Sequence, residues 1–145
     1  LQNKLKLFSP VAFTDFLQIE TARVARYKIS NSSLLIMQFH DLEKLQIQLG
    51  RRAEEVFVEL SAIFKSALRQ SDVISARNES IFFMVLTETA LPEAKLVSQR
   101  LTDAITELFE SNLDYSPVIS TALEQINKEL VIETLLEGFL EQNVH

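Results

Sequence analysis

The stretch Arg69-Gln70-Ser71-Asp72-Val73-Ile74-Ser75-Ala76-Arg77-Asn78-Glu79-Ser80-Ile81-Phe82-Phe83-Met84-Val85-Leu86 decides the fold. A basic residue and an acid sit three apart, and two short apolar runs follow, separated by a polar turn. The runs, Asp72 to Ala76 and Ile81 to Leu86, read as strands. The Asn78-Glu79-Ser80 connection reads as a hairpin turn, because asparagine tolerates left-handed turn geometry.

Working outward, residues 52–69 repeat Ala53, Val56, Phe57, Leu60, Ile63, Phe64 and Leu68 at helical spacing. A short helix over 41–49 precedes it and ends at Gly50, a natural C-cap. Leu34 to Phe39 is an unbroken apolar run, the pattern of a strand buried on both faces. Before it, residues 10–28 read as a helix opened by Pro10, with Phe13, Phe16, Leu17 and Val24 mostly on one face. On the other side, Pro92 and Glu93 open a helix whose inward face is Val97, Leu101, Ala104, Ile105 and Leu108. Pro117 to Leu123 reads as a strand and residues 130–142 as a closing helix. The order is helix, strand, helices, hairpin, helix, strand, helix, which predicts a layered α/β (α+β) domain around a mixed sheet.

Composition bounds the function. The 145 residues make one ordinary domain, and 47% hydrophobic content is enough for a core. A net charge of −6 argues against a binder of nucleic-acid polymers, but not against a small anion held by a few arginines. The absence of cysteine removes disulfides, thiolate catalysis and cysteine–zinc sites, and is compatible with a reducing cytoplasm. No apolar run approaches a membrane span of about 20 residues, and no leader pattern opens the chain. The two glycines, Gly50 and Gly138, are too far apart to build a GxGxxG or GxxxxGKS/T phosphate loop. Because the chain starts at Leu1 rather than methionine, we read it as a single domain, 1–145, cut from a longer protein. A membrane segment or a sensor would then lie outside it.

Element order and spacing together resemble the GGDEF domain of diguanylate cyclases, which join two GTP molecules into cyclic-di-GMP. Phe13 falls where the opening LTGLxNRRxF motif ends, and Gly50 where DxDxFKxxNDxxG ends. Arg69-x-x-Asp72, a five-residue gap and the five positions 78–82 follow in register. Against that family, Asn78, Glu79, Ser80, Ile81 and Phe82 stand at the GGDEF positions, and only phenylalanine is retained. The metal-binding aspartate of the first motif is Gln38, the second aspartate is His40, and the phosphate-facing lysine is Glu43. Gln46 and Glu55 replace the guanine-contacting pair. Two-metal phosphoryl chemistry needs hard carboxylates converging on Mg²⁺. Gln38, Ser80 and Ile81 supply none, and Asp41 should instead start the next helix. The resemblance therefore implies a catalytically inactive, degenerate domain with no catalytic residue, no metal and no cofactor.

The family's product-binding RxxD site matches at Arg69 and Asp72, and Arg100 falls where a further arginine completes it. The resemblance thus implies a cyclic-di-GMP receptor. An arginine fork can donate to guanine O6 and N7, an aspartate can accept from the N1–H and N2–H₂ edge, and Arg100 can stack on a base or pair with a phosphate. Degenerate domains of this kind occur in regulators of exopolysaccharide export, including the Pel type, and beside EAL phosphodiesterase domains. The expected partners are cyclic-di-GMP and a protein partner or second copy. The expected setting is cytoplasmic, including the cytoplasmic part of a membrane-associated protein.

Plainer readings stand beside these. Arg69 and Asp72 at i, i+3 also make an ordinary surface ion pair worth about 0.5 kcal/mol. Arg100-Leu101-Thr102-Asp103 repeats the pattern, so the pattern alone is cheap. Arg77 reads as a solvated strand end, His40 as a locally bonded histidine, and His145 as terminal. Glu54, Glu55 and Glu59 read as a solvated helix face, and Phe57, Phe64, Phe82 and Phe83 as core. Leu130, Val131, Leu135, Leu136, Phe139 and Leu140 would pack on the sheet or on a partner. The competing function is a nucleotide-independent interaction or dimerisation module; an active cyclase comes third.

Overall fold

The computed structural model describes residues 7–27, 31–78, 80–113, 115–130 and 132–142. Glu79, Val131 and His145, singled out above, lie outside them. Strands are β1 (Leu7–Phe8), β2 (Ser33–His40), β3 (Val73–Asn78), β4 (Ile81–Leu86) and β5 (Val118–Gln125). Helices are α1 (Pro10–Arg26), α2 (Leu42–Leu49), α3 (Ala53–Ala67), α4 (Leu91–Leu113) and α5 (Ile132–Gln142), with a 3₁₀ turn at Gly50–Arg52.

The strands form one mixed sheet in the order β1-β3-β4-β2-β5. β1 runs parallel to β3, and every other pairing is antiparallel. The continuous apolar run of β2 lies between β4 and β5, where both of its faces are covered. Leu35, Met37 and Phe39 face α2, α3 and α4, packing with Leu45, Leu60, Phe64, Leu101 and Ile105. Leu34 and Ile36 face α1 and α5, packing with Phe13, Leu17, Leu136 and Phe139. Each such fully buried side chain contributes about 1.5–3 kcal/mol, so these two layers supply most of the driving force. The apolar face of α5 is thereby spent on the sheet of its own chain.

Local chemistry sets the element ends. Ser9 accepts at its Oγ from the Ala12 N–H at 3.1 Å and caps α1 ahead of Pro10. Gly50, at φ +57°, closes α2, and its N–H donates to the Gln46 carbonyl, as a C-cap glycine should. Asp41 is the N-cap of α2 with φ +64°, in line with its reading as a helix start. Helix α3 stops at Ala67, short of 69, because Leu68 turns extended and the Arg69 N–H donates to the Asp72 carboxylate at 2.8 Å. Consequently β3 starts at Val73, and Asp72 belongs to the turn rather than to the strand. Strand β1 left no sequence signal; two residues are too short for any periodicity. Among the described residues no helix is long and apolar enough to cross a membrane.

Candidate functional site

The two ends of the β3–β4 hairpin carry the residues of interest. At the open end, the α3–β3 turn brings Arg69 and Asp72 against Thr87, the residue after β4. Oδ1 of Asp72 accepts from the Thr87 N–H at 2.9 Å and from its hydroxyl at 3.1 Å. Oδ2 accepts from the Arg69 N–H. The Asp72 side chain is only 4% exposed. Its carboxylate is a staple between two chain segments, not the outward group expected for a guanine edge. The i, i+3 ion pair is present, with Arg69 Nε 3.9 Å from Oδ2, but no side-chain hydrogen bond joins the two.

The Arg69 guanidinium is 55% exposed. Its Nη2 donates to the Thr87 carbonyl and, at 2.7 Å, to the Thr89 hydroxyl. Arg100 is exposed on α4 and takes no part in this bonding. It lines a groove of about 520 Å³ between α3 and α4, with Ala62, Ile63, Ser66, Ala67 and Ala104. The groove reaches Ala67, the last residue of α3, and Arg69 follows two positions on. The second RxxD copy does not close on itself: Asp103 accepts from Gln99 at 2.9 Å.

At the hairpin tip, Asn78, Ser80, Ile81 and Phe82 carry no carboxylate. Asn78 Oδ1 accepts from the Ser80 N–H at 2.8 Å, the Ser80 hydroxyl at 3.0 Å and the Ile81 N–H at 3.0 Å. Asparagine therefore closes the turn with its side-chain oxygen, as an Asx turn does. It is not among the described residues with positive φ, which corrects the left-handed expectation. A register shift between Ala76 and Asn78 accommodates the turn. Phe82 is retained for packing: its ring lies 5.7 Å from Phe39 and 5.3 Å from Phe64.

Gln38 and His40 alternate with the core residues of β2 and point to its α1–α5 face. Gln38 lies in register with Ile81 on one side and Ser120 on the other. Its Oε1 is buried without a hydrogen-bond partner. His40 Nε2 and the Ser120 hydroxyl are 2.8 Å apart, the local partner that sequence alone did not reveal. Strand register brings Ser120 there from 80 residues away. Among the described residues no three His, Cys, Asp or Glu side chains converge as a metal site. A divalent cation such as Mg²⁺ prefers anionic oxygens, and this donor set of amide, imidazole and hydroxyls does not fit it. Arg77 forks onto Glu133 of α5 with two 3.2 Å bonds, so it braces the hairpin and is not a lone strand-end cation.

A buried charged cluster escaped the sequence reading. Glu20 of α1, only 5% exposed, accepts from Arg23 Nε at 2.9 Å and Nη2 at 2.7 Å, and from the Ser32 hydroxyl. The Arg23 bonds, foremost, hold the Glu20 carboxyl below the usual range, against the opposing push of burial. Glu20 is polar at a helix position that faces inward, a signal hidden among the exposed acids of the chain.

Solved structures place this architecture. The chain is similar to the active GGEEF domain of a diguanylate cyclase from Vibrio cholerae, with a TM-score of 0.76 and 16% identity over 94% of this chain and 88% of that one. It is similar to the diguanylate cyclase SiaD from Pseudomonas aeruginosa, solved with its activator SiaC, with a TM-score of 0.74 and 18% identity over 94% of this chain. It spans 54% of the SiaD chain. The GGDEF domain of DgcB from Caulobacter crescentus, solved with c-di-GMP, matches with a TM-score of 0.73 and 10% identity over 92% of this chain and 81% of that one. No curated protein matches the sequence. The family model described as "Diguanylate cyclase, GGDEF domain" matches residues 6–122. With the mixed sheet, the hairpin and the helix layers in the same arrangement, the chain belongs to the GGDEF family.

Proposed function

We propose that this domain is a catalytically inactive GGDEF module that binds cyclic-di-GMP through Arg69 and Arg100. The observation that carries the reading is the α3–α4 groove, lined by an exposed Arg100 and reaching the end of α3 beside the exposed Arg69. One cation in the groove and a second two residues beyond its Ala67 end suit a ligand with two phosphates and two guanines. The role of Asp72 is revised: it fixes the turn that presents Arg69, and the base contacts fall to the arginines. Inactivity rests on positions 38, 80 and 81, where Gln38, Ser80 and Ile81 offer no carboxylate. The binding of c-di-GMP by the related DgcB domain is in keeping with this ligand class. The cytoplasmic setting, the place among regulators of exopolysaccharide export and the need for a protein partner rest on the resemblance read from the sequence.

Calorimetric titration with cyclic-di-GMP tests the reading. Saturable heat is expected from the wild-type domain and none from Arg69→Ala or Arg100→Ala. Absence of heat with the wild type at high micromolar ligand overturns it. Incubation with GTP and Mg²⁺ should yield no cyclic-di-GMP, and accumulation of product would refute inactivity. One observation favours the alternative, a nucleotide-independent interaction module: Arg69 already has protein partners in Thr87 and Thr89. The same titration separates the two.

A further inference from the structure

The segment Thr87–Thr89 is held from both sides. From one side, Asp72 accepts from the Thr87 N–H and hydroxyl, and Arg69 Nη2 donates to the Thr87 carbonyl and the Thr89 hydroxyl. From the other, the Ser33 hydroxyl donates to the Thr89 carbonyl at 2.8 Å, and the Glu88 N–H donates to the Ser32 hydroxyl at 3.1 Å. The Glu88 carboxylate lies 2.7 Å from Arg23 Nη1, and Arg23 and Ser32 both hold Glu20. Ser32, Ser33 and Glu20 are buried, so this side cannot exchange its partners for water without opening the fold. Glu88 has φ +50°, left-handed geometry that a residue with a Cβ adopts only when its surroundings impose it.

We propose that Thr87–Thr89 is a relay that couples capture of a ligand by Arg69 to the docking of the C-terminal half of α1. This rests on the reading of Arg69 as a ligand contact. The covalent geometry of the guanidinium brings a forked contact into competition with the bonds of Nη2. A two-point fork uses either Nε with Nη2 or Nη1 with Nη2. Nη2 already donates to the Thr87 carbonyl and to the Thr89 hydroxyl. A guanine edge or a phosphate that takes either fork competes with these bonds for Nη2. Where the ligand displaces one, the segment loses a restraint that opposes the strain at Glu88. Glu88 relaxes toward ordinary φ, and its carboxylate leaves Arg23, the α1 residue that pairs with it. Occupancy at the α3–β3 turn is thereby read out on α1, on the opposite layer of the sheet.

Hydrogen exchange of the whole domain tests the relay with and without ligand. In the ligand-free Arg69→Ala variant, whose mutated side chain is largely exposed, amides at residues 20–26 should exchange about tenfold faster than in the wild type. Amides of α5 should not change. Equal exchange at 20–26 in the two proteins overturns the relay, whatever the ligand does. With wild type, cyclic-di-GMP should accelerate the same amides; calorimetric binding that leaves them unchanged also overturns the relay while sparing the receptor reading. Absence of binding overturns the receptor reading, and the Arg69→Ala comparison still decides whether Arg69 and α1 are coupled. Reciprocity requires that Glu88→Ala, which frees the segment from Arg23, raise ligand affinity by about three- to tenfold. An unchanged affinity in a variant that binds counts against the coupling.

Discussion

The β3–β4 hairpin is closed by different chemistry at its two ends: charged side chains at the open end and a single asparagine amide at the tip. At the open end a carboxylate, a guanidinium and three hydroxyls are bonded to one another around Thr87. At the tip a single asparagine oxygen accepts three donors, and the flanking β2 positions hold an amide and an imidazole. The charged end needs its charges to hold the chain in place, since Asp72 is buried. Among the described residues, the tip needs only backbone closure and the packing of Phe82. The tip can therefore close through one amide oxygen, while loss of the acid at the open end would unfasten β4 from α3.

The largest test of that contrast is Asp72→Ala. It leaves the N–H groups of Arg69 and Thr87 unpaired, and should lower unfolding free energy by about 3 kcal/mol in urea titration. A loss below 1 kcal/mol would mean that water replaces the carboxylate and the end is not stapled. Next is Glu20→Gln, at the far side of the same network, expected to cost about 2 kcal/mol at neutral pH. Here the sign follows from the lowered pKa of Glu20 in the fold. The unfolded state binds the proton more readily, so this stabilisation is complete above the ordinary glutamate range near about 4.3 and fades as pH falls below it. The gap between wild type and Glu20→Gln should accordingly narrow in acid; a gap independent of pH would remove the charge from the account.

At the tip the effects should be smaller. Asn78→Ala removes the acceptor of the turn, and about 1 kcal/mol should be lost, with some of the bonds passing to water. Gln38→Met should do the reverse. It replaces a buried, unpartnered amide oxygen by an isosteric apolar chain, and stability should rise by up to about 1 kcal/mol. Destabilisation by Gln38→Met would show that this amide still serves a bonded role.

The comparison also marks what could be read from residues in a line. The Leu34 to Phe39 run announced a strand covered on both faces, and β2 is that strand. Gly50 announced the end of α2, and the paired apolar runs announced the hairpin. These signals are local: they depend on side-chain period and on φ preference. Arg69, Asp72 and Arg100 were legible as residue types at a spacing, but their division of labour was not. Spacing could not tell that Asp72 turns inward, because burial depends on Thr87, which the fold returns to the same corner through the hairpin. Nor could it link Glu20 to Glu88, or His40 to Ser120, which lie far apart in sequence and meet only across the sheet.

The sequence by itself determined the order of the elements after β1, the mixed layered architecture and the absence of a carboxylate at positions 38, 80 and 81, because each follows from the identity and period of neighbouring residues. Only the tertiary structure decided which charges are outward cations and which are buried staples. A carboxylate and an arginine three residues apart have the same local chemistry in either role. What separates them is the hydrogen-bonding partner that the sheet brings alongside, and the water that the packed core excludes.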